Sequence, residues 1–235
     1  MQLFSEFLWE KNAREINEDS LAINQVVMGG KPLLMAVVCD GIGSLPQGET
    51  ASSFVVARMK KMFDDIDRNR QPKMRRLRHG IGRQLYYCHE QMAKLGYGTT
   101  ISMLIIYDRR AMVISLGDSR IYAGYKGKRL KQITTDTCDG KGRLTCAVGV
   151  GPYVGFKEKI MRIEAGSIFL LCTDGFYRRN DRNIREQSYN GLHNEEDWRI
   201  KLEEMYRYAV EHGEKDNATG IVVIVSPERK MTWMK

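Results

Sequence analysis

The chain has 235 residues, 43% hydrophobic and 28% charged, with a net charge of +8, proportions that fit a globular protein with one sizeable core, and the absence of internal repeats and low-complexity blocks excludes a repeat or low-complexity chain. No apolar run approaches the ~20 residues needed to cross a bilayer, and a start carrying Glu6 and Glu10 does not read as a secretory leader, so a cytoplasmic protein with no membrane contact is expected. Five cysteines, odd in number and without Cys-x-x-Cys spacing, argue against a disulfide framework and a zinc site.

In chain order, Asn17-Glu18-Asp19 sits just before the apolar run Leu21 to Val27. The run Leu33 to Cys39 is bounded by Lys31-Pro32 and ends at Asp40-Gly41; it reads as a strand buried on both faces. Gly48-Glu49 then leads into a helix with Ala51, Phe54, Val55, Met59, Met62 and Phe63 on one face, broken by the polar stretch Asp64 to Pro72. A second helix carries Met74, Leu77, Ile81, Leu85, Cys88 and Met92 at three- and four-residue steps and closes near Gly96. Thr99 to Tyr107 and Ala111 to Leu116 form a hairpin through Asp108-Arg109-Arg110. Gly117-Asp118-Ser119-Arg120 is a turn before the strand Ile121 to Tyr125, and Lys126-Gly127-Lys128 turns after it.

Thr134 to Gly151 lacks periodicity and is a loop between strong strands, hence a candidate for function. Lys159 to Ile163 alternates like a strand, and Ser167 to Cys172 is a second apolar run that stops at Asp174-Gly175. Arg178 to Asn194 is polar and irregular. A last helix presents Trp198, Leu202, Met205, Tyr206, Ala209 and Val210 on one face and ends near His212-Gly213; Asp216-Asn217 opens the final strand, Thr219 to Val225. Many antiparallel-looking strands with two helical groups predict an α+β fold, a four-layer α-β-β-α sandwich of two mainly antiparallel sheets, in one domain over residues 1–235.

Four apolar runs thus carry a carboxylate at one end. Strands that bring those ends together crowd like charges in a poorly solvated place, and a bound divalent cation relieves the repulsion. Hard oxygen donors without nearby His or Cys favour Mg²⁺ or Mn²⁺, and His79, His89, His193 and His212 share no spacing with the acidic turns, so they read as ordinary surface or core histidines. Two such ions can bridge one water, lower its pKa and present hydroxide to phosphorus or a carbonyl. Arg14, three residues before Asn17, is placed to grip a phosphoryl group. The basic residues between Arg58 and Arg83 alternate with apolar positions at helical spacing and read as a solvated helix face. Their rival reading is a nucleic-acid patch on a two-metal nuclease, but no nucleic-acid motif or aromatic platform accompanies them.

The segments Arg14-x-x-Asn17-Glu18-Asp19, Cys39-Asp40-Gly41-x-Gly43, Gly48-Glu49-x-Ala51-Ser52, Gly98-Thr99-Thr100, Gly117-Asp118-Ser119-Arg120, Leu171-Cys172-Thr173-Asp174-Gly175 and Asp216-Asn217-x-Thr219 follow one another along nearly the whole chain. In this order they resemble the bacterial metal-dependent Ser/Thr protein phosphatases of the PP2C (PPM) type. The resemblance implies a binuclear Mn²⁺/Mg²⁺ centre between the sheets, with Asp40 bridging both ions, the Gly41 carbonyl on the second, and Asp174 and Asp216 on the first. It implies that Glu18 and Asp19 act mainly through metal-bound water, that Arg14 grips the substrate phosphate, and that Asp118 shares a weaker third ion with Asp174. Hydroxide bridging the ions attacks phosphorus in line, releasing Ser or Thr. The implied partners are phosphorylated proteins, a Ser/Thr kinase and its substrates among them, met by a monomer; a phosphoprotein-binding pseudophosphatase is the alternative.

Three departures from the family pattern stand out. Ser44 replaces a second Gly, Ile42 stands where eukaryotic relatives carry a His, and Asp136-Thr137 replaces the usual Asp-His. The segment near 134–149 is read as a shortened flap.

Overall fold

A computed structural model describes residues 1–227 apart from Asn69, Val154, Ser188, Gly191 and His193; the expectation for His193 therefore lies outside the described residues. The chain runs β1 (Gln2–Glu10), β2 (Asp19–Met28), β3 (Lys31–Asp40), α1 (Gly48–Asp64), α2 (Met74–Leu95), β4 (Ile101–Tyr107), β5 (Arg110–Leu116), β6 (Arg120–Tyr125), β7 (Lys131–Gln132), β8 (Lys157–Arg162), β9 (Ser167–Cys172), α3 (Asp174–Tyr177), α4 (Asp181–Glu186), α5 (Glu195–Glu211) and β10 (Ala218–Ser226). The strands form two sheets, ordered β1-β10-β9-β6-β7 and β2-β3-β4-β5-β8, in which every pairing is antiparallel. None of the helices among the described residues is long and apolar enough to cross a membrane.

Strand periodicity explains the layering. Successive side chains of a strand point to opposite faces, so Leu33, Met35, Val37 and Cys39 of β3 pack beneath α1 and α2, against Val55, Met59, Phe63, Leu77, Ile81 and Leu85. Leu34, Ala36 and Val38 face the other way, into the layer between the sheets, where they share a core with Phe169 and Leu171 of β9 and Ile221, Val223 and Val225 of β10. The outer face of the second sheet, with Ile168, Leu170, Cys172 and Val222, is covered by Trp198, Leu202 and Met205 of α5. The α-β-β-α sandwich expected from the sequence is the observed architecture.

The structure departs from the sequence reading at several short elements, of which β1 and α4 are the most instructive. β1 has no sequence-level counterpart because only Leu3 and Leu8 are buried, one toward each face of its sheet, which leaves almost no periodic signal. The polar stretch from Arg178 is not wholly irregular: α4 forms there, with Ile184 the one buried side chain that seats it.

Candidate active site

The strand parity that builds the inter-sheet core also delivers the carboxylates. Asp40 follows Leu34, Ala36 and Val38 on the inward face of β3, and Asp19 precedes the inward-packed Leu21 and Ile23 on β2. The two are direct cross-strand partners, a placement that is destabilising for like charges. On the facing sheet Thr173 and Thr219 lie in the same parity as Leu171 and Ile221 and reach Asp19, donating to its Oδ2 at 2.8 and 2.7 Å. Asp19 is only 1% exposed, and among the described residues its Oδ1 has no hydrogen-bond partner. Burial pushes the Asp19 carboxyl up to about 7 against the opposing pull of the two hydroxyls. Asp40 is driven well above the carboxylate range by burial first, then by repulsion from Asp19 and Asp174.

The glycine- and threonine-rich motifs hold this arrangement in place. The Asp40 carbonyl accepts from Thr100 N and Thr99 Oγ1, both at 2.8 Å, while Asp40 N donates to Thr100 Oγ1 at 3.0 Å. Gly41 N donates to the Glu18 carbonyl at 3.1 Å. A Cβ on Gly41 would stand 2.4 Å from the Gly48 carbonyl oxygen, and one on Gly175 would stand 2.1 Å from that of Asn217. Neither glycine has positive φ, so the Asp-Gly pairs serve close backbone approach rather than a left-handed turn. Asn217 stitches the remaining acidic turns: its Oδ1 accepts from Glu18 N at 2.9 Å, and its Nδ2 donates to the Lys11 and Ile16 carbonyls.

These turns surround a cavity of about 380 Å³ lined by Arg14, Glu18, Asp40, Gly41, Asp118, Asp174 and Asp216, together with Ile42, Ser44 and Leu144. Every residue singled out for the site lines it except Asp19, which lies buried beneath. Burial also raises Glu18, Asp118 and Asp174, the last to about 6.

Two guanidinium groups answer this negative charge. Arg14 grips Asp216 with two parallel bonds of 3.0 Å, from Nε to Oδ1 and from Nη2 to Oδ2. Arg178 bonds Asp174 directly and Glu214 Oε1 at 3.2 Å, and it pairs more loosely with Asp216 Oδ2 at 3.8 Å. Glu214, nearly buried, also receives the Lys215 and Asp216 amides at 3.0 and 3.1 Å and so shapes the turn that presents Asp216. Sequence reasoning missed both Arg178 and Glu214. The usable signal for Arg178 was its position four residues after Asp174, where a helical turn brings the two side chains together.

The loop expected to be functional is anchored beside the cavity. Thr137 receives Gly117 N at 2.9 Å and donates to the Cys146 carbonyl at 2.6 Å, while Leu144 reaches the cavity wall. Among the histidines, His89 is a core residue whose Nδ1 accepts from Gly149 N. The basic residues of α1 and α2 lie mostly on solvent-exposed faces.

Among the described residues no three His, Cys, Asp or Glu side chains are already gathered around a point that could hold a metal ion; Arg14 and Arg178 occupy Asp216 and Asp174 instead. The donor set nevertheless suits hard divalent cations. It is all oxygen, it carries more negative charge than two arginines neutralise, and Asp19 has an orphaned oxygen buried at its base.

A comparison with protein-family models matches residues 11–219 to the family described as protein phosphatase 2C. The chain belongs to the protein phosphatase 2C family. Among solved structures, the protein phosphatase 2C chain is similar to the serine/threonine phosphatase Stp1 from Staphylococcus aureus, at 21% identity, with 97% of this chain and 96% of that one covered and a TM-score of 0.81. It is likewise similar to PppA of Pseudomonas aeruginosa, at 22% identity, 95% and 98% coverage and a TM-score of 0.74. The catalytic domain of the serine/threonine protein phosphatase PstP, solved with two manganese ions, matches at 24% identity, 96% and 99% coverage and a TM-score of 0.72. No curated protein sequence matches the chain.

Proposed function

We propose that this protein phosphatase 2C chain hydrolyses phosphoserine and phosphothreonine in proteins, using two Mn²⁺ or Mg²⁺ ions held between the sheets. The observation that carries this reading is the convergence of Glu18, Asp40, Asp118, Asp174, Asp216 and the Gly41 backbone on one cavity that also contains Arg14. Asp40, the Gly41 carbonyl, Asp174 and Asp216 would hold the ions, with Glu18 and buried Asp19 holding their water. When bound, the ions neutralise the carboxylates and lower the pKa of a shared water toward neutrality.

The protein's own groups do the rest. Thr99 and Thr100 fix the Asp40 backbone from both sides, which keeps its carboxylate aimed into the cavity. Thr173 and Thr219 stabilise Asp19 as an anion by donating to it. Arg14, half-exposed at the rim, exchanges the Asp216 carboxylate for two oxygens of a substrate phosphoryl group, which match its fork equally well. Ile42 offers no proton, so the acid for the leaving Ser or Thr oxygen is a water or another acidic group of the cavity.

Every carboxylate of the expected set is present, and nothing in the site favours a phosphoprotein-binding module without turnover. Nor does a nuclease find support, since the exposed basic residues are spread over helix faces. We read residues 1–235 as one domain with a shortened flap near 134–149. We further read the protein as a cytoplasmic monomer acting on a Ser/Thr kinase and its substrates; its five free cysteines suit a reducing compartment.

The test is hydrolysis of p-nitrophenyl phosphate and a phosphothreonine peptide with Mn²⁺, Mg²⁺ or EDTA, in wild type, Asp40→Asn and Asp174→Asn. Each substitution is expected to lower kcat/KM by about 10³-fold or more, the equivalent of about 4 kcal/mol of lost transition-state stabilisation. Metal binding without turnover of either compound by wild type would sink the catalytic reading.

A further inference from the structure

A second cavity, of about 610 Å³, opens at the far end of the sandwich from the carboxylates, with Arg109, Arg110, Arg162 and Glu164 in its wall. Arg110 begins β5, and Asp118 of the acidic cavity lies just past that strand's other end. The rise of a strand sets the two sites about 25 Å apart.

The register of β5 and β8 makes Arg110 and Arg162 direct cross-strand partners. The Ile163 amide donates to the Arg109 carbonyl at 3.0 Å, so Arg110 and Arg162 occupy the neighbouring non-hydrogen-bonded position, where facing side chains stand closest. Like charges placed this way weaken a sheet. Among the described residues neither guanidinium has an acidic partner, and Arg109 has none either. Asp108 also lines the cavity but is held by Lys31 at 2.9 Å. That leaves Glu164, whose amide donates to Ser167 Oγ at 3.2 Å and whose carboxylate is unpaired among the described residues. Three guanidinium groups against one free carboxylate leave two positive charges uncompensated.

The acidic end of the same sheet has this design with the sign reversed, since Asp19 and Asp40 are cross-strand partners there. A surplus of carboxylates calls for cations, and a surplus of guanidinium forks calls for an oxyanion. A phosphate monoester carries close to two negative charges near neutral pH and offers three acceptor oxygens, which matches the excess; a carboxylate supplies only one charge. The volume falls among cavities that enclose a drug-sized molecule, more than a bare ion fills.

We propose that this cavity binds a phosphoryl group borne by a phosphorylated protein, which docks at the end of the sandwich away from the hydrolytic cavity. Arg110 and Arg162 grip the phosphoryl oxygens, and Arg109 adds charge from the β4–β5 turn. The site stands on these residues alone, so its failure leaves the proposed hydrolysis untouched.

Amide NMR of the ¹⁵N-labelled full chain in Mg²⁺ reads the two ends of the molecule separately. The probes are a peptide carrying a non-hydrolysable phosphonate analogue of phosphothreonine, the same peptide with threonine, and inorganic phosphate, each titrated into the millimolar range at constant ionic strength. The phosphonate peptide is expected to give saturable shifts at Arg110, Arg162 and Glu164 that the threonine peptide does not give, and to bind there more tightly than inorganic phosphate. Arg110→Gln with Arg162→Gln should weaken those shifts by about 10-fold or more, while Arg110→Lys with Arg162→Lys should lose less, since charge without the fork is kept. Shifts at Gly41, in the hydrolytic cavity, should be unchanged in both variants, and the remaining amide spectrum shows that each is folded. No saturable shift at the arginine end, or shifts that survive the glutamine pair, overturns the site. Equal binding of the threonine peptide overturns phosphoryl recognition, and equal binding of inorganic phosphate overturns docking of a protein-borne group in favour of the free ion.

Discussion

Arg120 and Arg178 each join acidic residues from separate elements, yet they sit in clusters of opposite character. Arg120 bonds Asp136 at 2.8 and 3.1 Å and Asp181 at 3.0 Å, and it lies 3.9 Å over the Tyr177 ring. Asp181 also holds Arg185 at 2.9 Å and the Tyr122 hydroxyl at 2.5 Å. Two arginines face two aspartates there. Around Arg178 the charges do not balance: Arg14 and Arg178 face Glu18, Asp19, Asp40, Asp118, Asp174, Glu214 and Asp216. A balanced network is a structural clamp, whereas a surplus of buried carboxylates is tolerated only where cations complete it.

The largest effect that separates the clusters is pH dependence without metal. Because Asp19 is raised to about 7 and Asp174 to about 6, the folded protein binds protons there that the unfolded chain, with carboxylates near 4, has already released. Stability of EDTA-treated protein is therefore highest below that range and falls as pH climbs toward about 7, by on the order of 3 kcal/mol from Asp19. Asp19→Asn should remove Asp19's share of that loss, so thermal melts of the metal-free variant at pH 5 and pH 7 should differ less than those of wild type, the remaining difference coming from Asp40 and Asp174. A metal-free wild type equally stable at both values would contradict the surplus-charge reading.

Breaking the balanced cluster gives the next effect. Arg120→Ala leaves Asp136 and Asp181 short of a partner and removes the stacking on Tyr177, at a cost of about 2–3 kcal/mol. Urea denaturation should show this loss with or without Mn²⁺, in contrast to the metal-conditional behaviour of Asp19.

Arg14 sharpens the comparison from the substrate side. With its bidentate grip gone, Arg14→Ala should raise KM for a phosphothreonine peptide by roughly 10-fold or more, about 1.5 kcal/mol for a charge-assisted pair. Steady-state kinetics at saturating Mn²⁺ would show an unchanged KM if Arg14 only neutralises Asp216.

The smallest effect belongs to the loop. Thr137→Val removes the hydroxyl that links Gly117 to Cys146, with an expected loss of about 1 kcal/mol in urea denaturation. Hydrogen exchange should rise at Gly117, whose amide donates to the Thr137 hydroxyl, while Thr145, held by the Thr137 backbone carbonyl, should change less.

By itself the sequence determined the layers and the kinds of side chain at the strand ends. Long apolar runs ending in Asp40-Gly41 and Asp174-Gly175, helices spaced at three and four residues, and acidic turns free of His and Cys are local patterns, and local patterns survive being read in one dimension. The tertiary structure decided what each carboxylate meets. Asp19 faces Asp40 because β2 and β3 pair in one register, and it is stabilised by Thr173 and Thr219 because the opposite sheet packs over it. β1 was illegible since an edge strand with one buried residue per face carries no period. Glu214 was illegible, and Arg178 legible only as a helical neighbour of Asp174, since their role depends on partners brought together by the fold: charge type can be read from the chain, but whether a charge is balanced is a property of distance, and distance exists only after folding.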